Sequence, residues 1–411
     1  MSAPLSPQTI AIVKACVPAL QAHGLAVTQA MYERLFKDQE IADLFNQSHQ
    51  GPGAAQPRAL AGALLAYAEN IENLGALTGA VERIAQRHSG LNILPEHYPY
   101  VATALLGALR DVLGDAATDE VLKAWGEAYW FLAEILIGRE GQIYREHAAM
   151  EGGWAGWRDF IVDRIESESA TVKSFYLRPV DGGKVIRHRP GQFLTFKLDL
   201  PGHGILKRNY SISSGPNGDF YRITVKREPA PVDQPQAPVG LASNWLHEKA
   251  VRGAVLSVAP PAGEFVLEDA QGPVVLISGG VGVTPMVSML EAMADSGLHR
   301  PVWSVHGTHN GRMHAMAEHI RQLGRKNTGL TSVAFYEEPG PGDVQGRDFL
   351  EQGRISVCWL KANTPFESAT FYLCGPRPFL RVLVGGLRAA GVPAERIRYE
   401  FFGPTDELLA A

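Results

Sequence analysis

His88, in Ala-Gln-Arg-His-Ser-Gly, is followed by a phenol at Tyr98 and a carboxylate at Glu140. An imidazole can give one ring nitrogen to haem iron while an acceptor on its other nitrogen orients the ring and raises its basicity. Taken singly, each residue has a plainer reading: a helix-end histidine, a packing tyrosine, a solvated acid. Arg208-Asn-Tyr-Ser211 offers a guanidinium able to clamp a flavin phosphate bidentately, with a ring and a hydroxyl beside it. Without its neighbours that tetrapeptide is an ordinary strand end. Gly280-Val-Gly-Val-Thr-Pro285 follows an apolar run and opens a helical one, the arrangement that turns backbone N–H groups towards a pyrophosphate. An iron-ligating site joined to flavin and dinucleotide sites would make a self-contained redox enzyme.

These residues need separate frames, and the chain is long enough to supply them. With 411 residues and 45% apolar content, two to three domains with their own cores are expected. A net charge of −5, with acids and bases mixed, gives no footprint for nucleic acid or an anionic membrane. The start, Met-Ser-Ala-Pro-Leu-Ser-Pro, has neither the basic nor the apolar region of a secretory signal. No run approaches the roughly 18 apolar residues of a membrane span, so no stable membrane insertion is expected. The three cysteines, Cys16, Cys358 and Cys374, are far apart and form no CxxC, which suits a reducing cytoplasm.

Apolar periodicity divides the chain in three. Residues 1–150 read as all-α, with helical stripes such as Ile10, Val13, Val17 and Leu20, and a long last helix from about Asp119 to His147. Pro95 can open the helix that carries Tyr98. After the linker Gly152-Gly-Trp-Ala-Gly-Trp157, residues 151–268 show period-two runs punctuated by Asp181-Gly-Gly and Pro216-Asn-Gly, an all-β barrel or sandwich. Residues 269–411 alternate strands with helices, a doubly wound α/β domain. Met286, Met289 and Met293 read as helix core, and His306, His309 and His314 as loop decoration without ligand geometry.

Residues 1–150 resemble bacterial flavohaemoglobins: Tyr32 in Met-Tyr-Glu-Arg-Leu-Phe, Phe45 in Leu-Phe-Asn, Gln56 and Leu60 in Gln-Pro-Arg-Ala-Leu, and Tyr98 in Pro-Glu-His-Tyr. The resemblance implies a globin in which His88 is the proximal iron ligand and Tyr98 and Glu140 form its hydrogen-bonded relay. It implies that Phe45 packs on the haem face, that Tyr32, Gln56 and Leu60 line the distal pocket, and that the Tyr32 hydroxyl donates to bound O2.

The remainder resembles ferredoxin–NADP reductase-type modules, whose flavin signature is Arg-x-Tyr-Ser. By that likeness Phe193, Arg208, Asn209, Tyr210, Ser211 and Lys226 belong to an FAD-binding β-barrel. Gly280, Val281, Gly282, Val283, Thr284, Pro285, Cys374, Gly375 and Pro376 belong to an NAD(P)-binding α/β domain. Cys374 is alternatively a buried structural thiol. At the chain's end, Glu400, Phe401, Phe402, Gly403 and Pro404 match a segment whose aromatic, here Phe402, stacks on the flavin. Glu400 matches a position beside the flavin–haem contact, and Arg87 one usually held by lysine, where a basic group would tune the redox potential. Asn209 stands for a commoner glutamine and Phe193 for a tyrosine, which removes a hydroxyl from the flavin's surroundings; Pro57 stiffens the chain beside Gln56.

The implied cofactors are haem b, FAD and NADH or NADPH, with Arg312 and Arg325 as candidates for that choice. The implied activity is a monomeric nitric oxide dioxygenase acting on O2 and nitric oxide. The rival readings are an oxygen store or gas sensor, and a general flavin or alkylhydroperoxide reductase.

Overall fold

The computed structural model describes residues 4–44, 55–230, 236, 239–269, 272–297 and 299–403. It divides into two compact units, one built on Met1–Ala149, the other on Met150–Gly204 and Arg208–Gly403.

The first unit is helical: α1 (Pro7–Ala15), α2 (Val17–Leu35), the short α3 (Gln39–Ala42), α4 (Ala55–Glu69), α5 (Thr78–Gly90), α6 (Tyr98–Leu113) and α7 (Asp119–Ala149). Ser6 caps α1, its hydroxyl accepting from the Thr9 N–H at 3.0 Å. Pro95 opens a single turn, Pro95–His97, that runs straight into α6, where Pro99 stands in the first turn and lacks only a donor that has no helical partner there. The apolar stripes bury into two clusters. One gathers Val13, Leu20, Val27, Met31, Tyr32, Tyr67, Leu109 and Trp125. The other, smaller one holds Ala85, Tyr98, Ala133, Leu136 and Ile143. Helix α7 serves both because Trp125 and Ala128 lie near its start and Leu136 and Ile143 near its end. No single helix among the described residues is long and apolar enough to cross a membrane.

The second unit begins with six antiparallel strands: β1 (Arg158–Ser167), β2 (Val172–Pro179), β3 (Phe193–Leu200), β4 (Gly204–Ser211), β5 (Tyr221–Lys226) and β6 (Val255–Val258), with α8 (Leu241–Lys249) before β6. They lie in the order β4-β3-β6-β1-β2-β5. An isolated bridge between Ile212 and Ile223 joins the chain leaving β4 to β5, so the two edges meet and the sheet curls into a barrel. The turn before β5 is held by the Asn217 side chain, whose Oδ1 accepts from the Asp219 and Phe220 N–H groups.

The same unit ends in a parallel sheet: β7 (Val274–Gly279), β8 (Val302–Thr308), β9 (Leu330–Tyr336), β10 (Glu351–Gln352), β11 (Thr370–Cys374) and β12 (Ile397–Glu400). Helices α9 (Val283–Asp295), α10 (Ala317–Lys326), α11 (Val357–Asn363) and α12 (Arg377–Ala389) connect them. The order β10-β9-β8-β7-β11-β12 puts successive connections on opposite sides of β7, so its carboxyl end is the switch point where such sheets take their ligands. Met286, Met289 and Met293 are buried in the α9 core, as expected.

His306 corrects the loop assignment, whereas His309 and His314 lie in the segment between β8 and α10. His306 lies within β8 and His314 packs on it, the rings stacked at 4.7 Å, and both are buried. Strand alternation turns His306 inward, where its Nδ1 meets the Ser278 hydroxyl at 2.8 Å, and His314 Nδ1 meets the Tyr336 hydroxyl at 2.9 Å. As a central parallel strand β8 is covered on both faces, so even its polar residues are enclosed. His309 alone of the three is exposed.

Candidate functional site

His88 sits in the last turn of α5, and three elements converge on its ring. Its Nδ1 lies 2.8 Å from Glu140 Oε1 and 3.3 Å from the Tyr98 hydroxyl. Tyr98 OH in turn donates to the same Glu140 Oε1 at 2.8 Å. Glu140 is 2% exposed, on the face of α7 that also carries Ala133, Leu136 and Ile143. A carboxylate so placed needs fixed donors, and it has two. Burial and the Glu140 charge both push the Tyr98 hydroxyl far above its ordinary range, so it stays protonated and acts as a donor.

With Nδ1 engaged, His88 has Nε2 left as a ligand nitrogen. Its side chain is 32% exposed, whereas the acid behind it is sealed. That donor set fits haem: an imidazole whose second nitrogen is fixed by a buried carboxylate. Two further hydroxyls, not anticipated from the sequence, brace this corner. Tyr129 OH donates to the Tyr98 carbonyl at 2.8 Å, and Tyr144 OH to the Ile93 carbonyl at 2.6 Å. Their signal was present, since Tyr129, Leu136, Glu140 and Tyr144 follow helical spacing along one stripe of α7.

On the other apolar cluster, Tyr32 of α2 is buried, and burial drives its hydroxyl well above the ordinary range despite a side-chain hydrogen bond with Gln56. Leu60 packs against that cluster from α4. Phe45 lies outside the described residues. Arg87 is exposed, adjacent to His88 in α5.

In the barrel, the flavin segment closes β4. Arg208 and Tyr210 share one face by strand alternation. Burial holds the Arg208 guanidinium below its usual range, the direction an anionic phosphate would reverse. The Tyr210 ring meets Phe196 edge-on at 5.6 Å, and Asn209 Oδ1 accepts from Thr195 Oγ1 at 3.0 Å. Ser211 and Phe193 are buried, Phe193 beside Gly263. Gly191, at φ +106°, passes so close to Phe265 that an added Cβ would stand 2.1 Å from its carbonyl oxygen. Lys226 ends β5 with its ammonium 3.1 Å from Glu228.

The glycine turn is equally tight. Gly280 adopts φ +53°, and a Cβ on Gly282 would stand 2.2 Å from the Cys374 carbonyl oxygen. Val281 lies within this turn, and Val283, Thr284 and Pro285 are the first buried residues of α9. The backbone of Cys374-Gly375, with Pro376 next to it, therefore forms the second wall of the turn. Such a cradle, lined by backbone and open only because no Cβ fills it, fits a dinucleotide. Cys374 itself is buried, and burial with the Glu400 charge raises its thiol well above the ordinary range, as for the structural alternative. Parallel registry sets His306, Ser278, Cys374 and Glu400 in one row across β8, β7, β11 and β12. Beyond β12, Phe402 is 48% exposed, Gly403 N–H donates to the Phe401 carbonyl, and Pro404 lies outside the described residues. Arg325 is paired with Glu318 on α10, and Arg312 lies in the turn Gly311–Met313. Among the described residues no group of three or more His, Cys, Asp or Glu is placed to hold a metal ion.

The Globin family model matches residues 28–136, and the Oxidoreductase NAD-binding domain model residues 276–384. The flavohemoprotein of Xylella fastidiosa is 52% identical over the whole of both chains, and that of Halalkalibacterium halodurans 43%, again over the whole of both. The chain belongs to the flavohemoprotein family. That membership makes haem, flavin and a nicotinamide dinucleotide its cofactors. A Malassezia yamatoensis flavohemoglobin, solved with FAD and heme, shares the fold at TM-score 0.84 and 24% identity, covering 98% of this chain and all of that one. The FAD/NAD-binding domain of the Vibrio cholerae nitric oxide dioxygenase is 36% identical, at TM-score 0.54, over 60% of this chain and 99% of its own.

Proposed function

We propose that this flavohemoprotein is a cytoplasmic nitric oxide dioxygenase, consuming nitric oxide with O2 and NAD(P)H to give nitrate. Each nitric oxide takes one dioxygen and one electron, so one NAD(P)H serves two turnovers. When bound, FAD accepts hydride and releases electrons singly, and haem binds the dioxygen that reacts with nitric oxide. The observation that carries the reading is the His88 Nδ1–Glu140 bond. A buried carboxylate on an axial imidazole raises its basicity, which favours oxygen chemistry over simple carriage.

The other residues act around that bond. Tyr98 shares the Glu140 oxygen and keeps it aimed at the ring. The Tyr32 hydroxyl, kept protonated by burial, is a donor for a partly anionic ligand and is oriented by Gln56. Arg208 would hold the flavin phosphate, and the Gly280–Gly282 turn would hold the dinucleotide. The Vibrio cholerae domain's parent protein bears the name of this activity.

The test is nitric oxide consumption by haem- and FAD-loaded protein with NADH in air, with nitrate measured as product. Loss that requires both O2 and NADH and yields stoichiometric nitrate supports the reading. Loss independent of O2, with the flavin still turning over, overturns it.

A further inference from the structure

The flavin and the nicotinamide are held by different parts of the second unit, yet hydride transfer needs their reacting atoms about 3–3.5 Å apart. Helix α9 joins the two holders. It starts at the dinucleotide turn, and two turns later its Ser288 and Glu291 seize the chain just beyond the flavin segment. Ser288 Oγ donates to the Ser214 carbonyl at 2.7 Å, and His188 Nε2 reaches the same carbonyl at 3.1 Å. Glu291 Oε2 accepts from the Gly215 N–H at 2.5 Å. Its Oε1 accepts from Arg222 Nη2 and His319 Nε2, both at 2.6 Å. Arg222, from β5, also donates to the Ser213 carbonyl through Nη2 and to the Ser213 hydroxyl through Nε at 3.2 Å.

One carboxylate thus fastens barrel, α9 and α10 at a point four residues past Ser211. The approach is close: a Cβ on Gly215 would stand 2.9 Å from the Glu291 Cβ, so backbone and helix touch directly. Desolvating an acid and a guanidinium is costly compared with an apolar contact of the same shape, and such pairs are best attested where they fix registry. Here the side chains are only 6% exposed for Arg222 and 19% for Glu291.

We infer that Glu291 is a positioning residue for hydride transfer, setting the nicotinamide turn against the flavin segment through Gly215 and Arg222. This rests on the FAD and NAD(P)H chemistry of the family and is independent of nitric oxide.

The experiment compares wild type with Glu291→Gln, which keeps size and an acceptor, and Glu291→Ala, with ferricyanide as electron acceptor. Flavin reduction by NADH is expected to slow about tenfold to a hundredfold. The half-saturating NADH concentration stays unchanged, and the primary deuterium isotope effect on turnover rises as hydride transfer becomes the slow step. In full-length protein before FAD is added, hydrogen exchange of residues 213–217 is expected to accelerate in Glu291→Ala. Wild-type flavin reduction in both variants overturns the inference, even if exchange accelerates. So does a slowed rate explained by raised half-saturation with an unchanged isotope effect. A chain with no nitric oxide activity would give the same supporting result.

Discussion

His88 and Glu140 lie 2.8 Å apart across two helices, and the sealed member of the pair is the acid. Replacing Glu140 by Gln retains the shape and removes the charge. The imidazole then loses basicity, and nitric oxide consumption is expected to fall about tenfold to a hundredfold. Resonance Raman of the ferrous protein checks the cause, because the iron–histidine stretch should move to lower frequency.

Tyr98→Phe strips Glu140 Oε1 of one of its two donors. A buried carboxylate left short of a donor costs about 1–3 kcal/mol. The expected outcome is a lower melting temperature of the helical unit, read by circular dichroism, with flavin reduction by NADH unaltered.

Gly282→Ala places a methyl group against the Cys374 carbonyl, so the glycine turn must open. The half-saturating NADH concentration should rise about tenfold or more, since the backbone donors no longer converge. The Soret spectrum checks that the haem site is untouched.

Three buried histidines, His188, His306 and His314, give the second unit an acid sensitivity, burial lowering His306 furthest. Burial lowers His188 and His314 from 6.5 to about 4 in the folded chain. The unfolded chain binds these protons first, so their stabilisation is complete above about pH 6.5 and is lost as pH falls towards 4. For His188 the loss amounts to about 3 kcal/mol. Urea unfolding of the second unit's tryptophans between pH 7 and pH 4 should show it, and His188→Asn should flatten the dependence. An unchanged slope in that variant would contradict the assignment.

Much of this was legible in the residues, because burial and chemistry coincide along regular elements. The helical stripes of α1, α6 and α7, the period-two runs of β1 and β3 and the apolar strand β7 announce themselves through spacing. His88, Tyr98 and Glu140 each read plainly when taken singly and become a relay only through the family resemblance, and folding brings them to one oxygen atom. What escaped depends on contacts between distant segments. Glu291 reads as one more acid on an amphipathic helix, and nothing local announces that Arg222 and Gly215 will meet it. His306 escaped for a related reason, since a histidine within a strand reads as surface until its partner Ser278 is known, and His314 keeps its loop place but is buried against the Tyr336 hydroxyl.

The row formed by His306, Ser278, Cys374 and Glu400 has a consequence for how this chain can tolerate change in length. Each member is fixed by its own strand's ladder, and the joining segments lie between strands. Residues added at exposed points of those segments, such as the turn at Gly340–Gly342, leave the row in line. One residue gained or lost within β7 or β11 turns the following side chains to the opposite face and slides Gly282 off the Cys374 carbonyl. Insertional scanning across residues 274–400 should therefore give a comb, permissive between strands and silent within them.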